Sequence, residues 1–136
     1  MFTTKQGFRV LVLASIVLGL LAGAIDLLVP SLVPPELREA FNQLEASREY
    51  NFIVEGSLVI ALLLAALVST IGLLLFWKPA RLIYIASFLA SYVYIGVFGP
   101  QLSSGPSVAI ELLSEFIAGI VAVLMYTKPI STHFEK

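Results

Sequence analysis

The chain has 136 residues, 59% of them hydrophobic and 12% charged, with a mean hydropathy of +0.98, which lies outside the range of soluble globular domains. Its formal net charge is −1, with one histidine and no cysteine. That excludes a basic surface for nucleic acid, disulfides, thiol redox chemistry and iron–sulfur ligation. What remains is one integral membrane domain over residues 1–136: an all-α, up-down antiparallel bundle of four transmembrane helices.

The first span covers approximately residues 8–29. Lys5 and Arg9 precede it and Ala22-Gly23-Ala24 supplies small residues, as in a signal peptide. The apolar run is longer than a signal core, however, and continues past Asp26 into Leu27-Leu28-Val29, so it reads as a retained helix.

Residues 30–51 form the long polar loop, and Ser31–Asn51 reads SLVPPELREAFNQLEASREYN. Pro35 suits a first helical turn, Glu36 and Glu39 suit the positive end of a helix dipole, and Leu37, Phe41 and Leu44 fall on one face. The pattern predicts a short amphipathic helix outside the membrane, lying on lipid, capping the bundle or meeting a partner.

The second, third and fourth spans cover approximately residues 52–77, 81–98 and 106–126. Phe76-Trp77-Lys78-Pro79 closes the second and Tyr126-Thr127-Lys128-Pro129 closes the fourth. Each places an aromatic ring and a lysine at headgroup level and a proline where the helix should stop. The likeness of the two exits suggests a duplicated helical hairpin.

Lysine and arginine are retained on the cytoplasmic side. Lys5, Arg9, Lys78, Arg81, Lys128 and Lys136 fall on one side of the spans. On the other side, Arg38 and Arg48 are outnumbered by Glu36, Glu39, Glu45 and Glu49, and the loop GPQLSSGP has no charge. Both termini are therefore expected in the cytoplasm, in a bacterial inner membrane. Small residues recur along every span: Ser15, Gly19 and Gly23; Ala61, Ala65 and Ser69; Ser87 and Ser91; Ser114, Ala118 and Ala122. They let helix backbones approach in lipid, where no hydrophobic force drives association. Gly19–Gly23, GLLAG, also admits a homo-oligomer.

The acids within these spans need an explanation. At ~1.5 Å per residue, Asp26 lies about 25 Å from Arg9, while Glu111 and Glu115 lie about 25 and 20 Å from Lys128. Glu55 falls at the outer boundary of the second span. A carboxylate in the bilayer faces protein or water rather than lipid, and no lysine or arginine within the spans can neutralise these four. Three solutions exist: a bound proton, a wet cavity open to the outside, or Arg38 and Arg48 folding down from the loop. The sequence therefore predicts that acids of separate spans meet in an outward-facing chamber, with Tyr94 at the level of Glu115 and Tyr92 and Ser91 slightly deeper.

His133 stands alone near the C-terminus, and no HExxH, GxSxG or phosphate-binding loop occurs, so no enzyme, cofactor or metal site is expected. The expected function is a non-enzymatic accessory or immunity-type membrane protein that binds a partner, with a proton- or cation-coupled transporter as the alternative. The candidate contact residues are Asp26, Glu55, Glu111, Glu115, Tyr92, Tyr94, Arg38, Arg48 and Phe41.

Overall fold

A computed structural model describes residues 4–47, 52–98 and 102–135. The described residues form five α-helices: α1 Lys5–Leu28, α2 Pro35–Ala46, α3 Phe52–Leu74, α4 Lys78–Phe98 and α5 Gly105–Leu124. Short 3-10 turns lie at Pro30–Leu32 and Ser131–Phe134. Helices α1, α3, α4 and α5 are long and apolar enough to cross a membrane, and the chain is a multi-pass four-helix bundle. Side chains such as Leu20, Leu64, Val93 and Phe116 are exposed on its outside, where lipid would meet them.

Local chemistry sets the helix ends. The Thr4 hydroxyl oxygen accepts from the Gly7 amide at 3.1 Å to cap α1, and that of Ser104 accepts from the Ser107 amide at 3.4 Å to cap α5. Both satisfy amides that have no partner within the helix. Helix α3 stops at Leu74, three residues short of the expected end, and proline is not the cause. Phe76 takes a left-handed backbone with φ of 57°. Its amide donates to Leu73 O at 3.1 Å, and the Trp77 amide donates to Gly72 O at 2.7 Å. This is a Schellman termination, usually built on glycine. Pro79 instead occupies the first turn of α4, where its missing N–H is not needed.

The left-handed conformation costs a non-glycine residue about 1–2 kcal/mol, and the Phe76 ring is held by what surrounds it. It lies 5.7 Å from Phe8, 5.2 Å from Phe134 and 5.6 Å from His133. Lys5 and Arg9 stand 5.8 and 5.4 Å from its centre, within reach of cation–π attraction. This aromatic cluster belongs to the buried core of Phe8, Leu11, Val12, Leu73, Ala80, Val121, Met125, Ile130 and Phe134. The whole core sits at the end of the bundle that bears the termini and the α3–α4 turn. The C-terminal segment is thus no loose tail: Ile130 and Phe134 are fully buried and close that end.

The two extensive helix–helix interfaces are α1 with α5 and α3 with α4, whereas α1 and α3 meet over a short stretch. Along the α1–α5 seam the Ser114 hydroxyl donates to Ser15 O at 2.6 Å and the Ser107 hydroxyl donates to Ala22 O at 2.8 Å. At its far end the Ser104 amide donates to Asp26 Oδ1 at 3.1 Å. Gly19 lies between these bonds, and a Cβ there would come within 3.3 Å of Ser114 Oγ. A Cβ on Gly23 would meet nothing; Ala22 is buried in its place. Ser114→Ala should therefore cost about 0.6 kcal/mol, the mean for such bonds between membrane helices. Ser114→Leu should cost several times more by pushing Gly19 away, a ranking that unfolding midpoints in detergent would check.

The two exits have matching contacts. Arg9, at the start of α1, donates to Leu74 O at 3.0 Å and stands 5.4 Å from the Phe76 ring. Arg81, at the start of α4, donates to Met125 O at 3.2 Å and stands 5.2 Å from the Tyr126 ring. Exchanging α1 with α4 and α3 with α5 converts one tight pair into the other, as a duplicated hairpin would require.

Helix α2 confirms the amphipathic segment, but its stripe is not buried in the bundle: Leu37 and Leu44 are exposed and Phe41 is half-buried. Arg38 donates to Pro30 O in the preceding 3-10 turn and so fixes the entry to α2.

Candidate functional site

Because the helices pair tightly two by two, a space is left between the α1–α5 and α3–α4 pairs. It is a cavity of about 660 Å³ with residues of all four spans in its walls. Its floor lies toward the closed end, where Ser15, Ser69 and Ala118 are buried. Above them the Tyr84 hydroxyl donates to Ala118 O at 3.4 Å, joining α4 to α5. The lining residues Val59, Ile95 and Glu111 are exposed toward the loop end, and Gly19, Leu63 and Ala66 in mid-span, so the chamber is open over much of its length.

The walls are apolar and aromatic, with Tyr84, Phe88 and Tyr94 from α4, and they are interrupted by Glu111 and Glu115 one turn apart on α5. Glu111 is exposed and Glu115 half-buried. Among the described residues, no lysine, arginine or histidine lines the chamber. The serine protons point away. The hydroxyls of Ser69, Ser87 and Ser91 donate to the carbonyls of Ala66, Tyr84 and Phe88 at 3.0, 3.0 and 2.7 Å, and that of Ser114 donates to Ser15 O. These groups are left with lone pairs, not protons, to offer a guest.

The expected gathering of four acids is corrected to a pair. Asp26 is engaged at the end of the α1–α5 seam, where it accepts from the Ser104 amide, and it does not line the chamber. Glu55 is buried in the first turn of α3, where a carboxylate suits the helix dipole, and it too is absent from the lining. The tyrosine near Glu115 is Tyr92, close enough for the carboxylates of Glu115 and Glu111 to act on it electrostatically. Tyr94, two residues on, turns to the chamber wall and stacks on Phe98 with ring centres 4.6 Å apart. The difference follows from helical geometry, since positions 92 and 94 point about 200° apart.

Arg38 is turned to Pro30 O and Phe41 lies on α2. Neither is among the chamber residues, and Arg48 lies outside the described residues. The sequence reading missed Tyr84, Phe88 and Thr70 as lining. A signal existed, because Tyr84, Ser87, Phe88, Ser91 and Tyr94 recur at helical spacing along α4. Among the described residues, no group of three metal-ligating side chains is close enough to hold an ion.

In chemical terms the chamber offers carboxylates, hydroxyl lone pairs and aromatic faces, and all of these attract positive charge or hydrogen-bond donors. Comparison with protein-family models, curated proteins and solved structures finds no match, so the functional reading rests on this geometry.

Proposed function

We propose that this chain is a non-enzymatic binding protein of a bacterial inner membrane, whose chamber receives a ligand from the extracytoplasmic side. The observation that carries the reading is the chamber between the two helix pairs, with the aromatic core at one end and Glu111 and Glu115 in its wall toward the other. Lys5, Arg9, Lys78, Arg81 and Lys128 cluster at the closed end, which favours placing that end in the cytoplasm. Accessory and immunity-type roles are versions of this function in which the ligand belongs to another protein, with α2 and its exposed Leu37 and Leu44 available beside the membrane surface.

The chain has no cysteine, so single thiols report access directly. Ser91→Cys is expected to react with a membrane-impermeant thiol reagent on intact cells, and Thr132→Cys only after the membrane is broken. The reverse pattern would invert the topology, and an unreactive Ser91→Cys would close the chamber to ligands from outside.

The same acids favour a second reading, cation-coupled transport. In proteoliposomes the binding reading predicts no proton or sodium flux above that of Glu115→Gln. A flux in the wild type that Glu115→Gln abolishes would replace binding by transport.

A further inference from the structure

We propose that the chamber is a binding site for a hydrophobic organic cation, an apolar or aromatic body with one positive charge. This rests on the reading of the chamber as a ligand site and adds the class of ligand. The volume of about 660 Å³ lies within the range of small-molecule pockets, which are mostly apolar with a few oriented polar groups.

Charge complementarity selects the sign. Glu111 and Glu115 lie one turn apart with no basic side chain among the described lining residues, and such a pair in an apolar wall is stabilised by a cation lodged between or beside the carboxylates. The serine protons are already donated to carbonyls, so an anion would find few donors, while a cation finds acceptors throughout. Tyr84, Phe88 and Tyr94 line the α4 wall, and aromatic rings attract a poorly hydrated cation and cover an apolar body equally well. A small hydrated metal ion fits less well: it needs several oxygen ligands closing around it, whereas this lining is predominantly aliphatic and aromatic.

The test uses the full chain in lipid nanodiscs, with tetraphenylphosphonium as cation and tetraphenylborate as the nearly isosteric anion, each corrected for uptake by empty nanodiscs. Saturable binding of the phosphonium alone is expected, weakened about tenfold or more by Glu115→Gln, as expected when one partner of a poorly solvated charge pair is removed. Leu63→Trp, which adds a ring at an exposed lining position without touching either acid, should block the same binding. Equal binding of both ions, or cation binding that survives both variants, would overturn the proposal. Absence of binding with a reactive Ser91→Cys would overturn the ligand class alone and leave the chamber reading standing. Absence of binding with an unreactive Ser91→Cys would overturn both.

Discussion

Replacing Phe134 with alanine is expected to destabilise the bundle by about 3–5 kcal/mol, the usual cost of deleting a fully buried aromatic ring. Its ring has no exposed surface. It stands edge-on to Phe8 at 6.0 Å and to Phe76 at 5.2 Å, and the Arg81 guanidinium lies 5.1 Å from its centre. One side chain therefore joins α1, the α3–α4 turn and the start of α4, so its loss should loosen both helix pairs at their shared end. Phe134→Leu keeps most of the volume and should lose only about 0.5–1.5 kcal/mol, the share due to ring–ring geometry. The single tryptophan, Trp77, lies beside this cluster in the sequence and gives a fluorescence readout of unfolding. Equal midpoints for Phe134→Ala and the wild type would show that the C-terminal segment does not hold the closed end.

Gly72→Val is the second severe substitution. A Cβ on Gly72 would overlap the Ala80 side chain, come within 3.1 Å of the Trp77 ring and lie 3.6 Å from Ala80 Cα. A methyl group and backbone are in the way, and neither can rotate aside. Helix α4 would have to shift, and with it the Trp77–Gly72 bond that ends α3. Overpacking of this kind costs about 1–3 kcal/mol or more. The smaller Gly72→Ala offers a cleaner check, because Ala80→Gly should restore part of its lost stability. A double-mutant cycle showing no coupling between positions 72 and 80 would contradict the close approach.

The four spans were legible because lipid imposes long apolar runs and the headgroup region imposes aromatic and cationic borders, here Trp77-Lys78 and Tyr126 with Lys128. Helix α2 was legible from Pro35 and the Leu37–Phe41–Leu44 spacing. The pairing of the spans was legible only in part. Short connections favour sequential neighbours, which holds for α3 and α4, yet the main partner of α5 is α1, across nearly the whole chain. Ser107 and Ser114 bond to α1 carbonyls there, and no local pattern announces which helix a serine will find. The same limit applies to the site. Counting along helices put Asp26, Glu55, Glu111 and Glu115 near one level, but Asp26 and Glu55 share the helix faces of the lining residues Gly19 and Val59 and lie beyond them toward the loop end, so depth separates these two from the chamber. Azimuth decides between Tyr92 and Tyr94. Burial of Ile130 and Phe134 beyond the last span lay outside any periodicity argument, because the segment ends in a single turn.

The crossed pairing also governs how the protein is made. Of the five helices, α1 leaves the ribosome first and α5 last, and each tight pair takes one helix from the earlier half and one from the later half. Ser15, Gly19 and Ala22 therefore remain against lipid, without their serine partners, until translation has passed Ser114. Helix α3 finds its partner once α4 is made, but α1 stays inserted and unmatched through the whole interval, exposed to membrane quality-control proteases and to the insertion machinery. Stalling the ribosome before Gly105 should leave a protease-sensitive intermediate that becomes resistant once the last helix enters the bilayer.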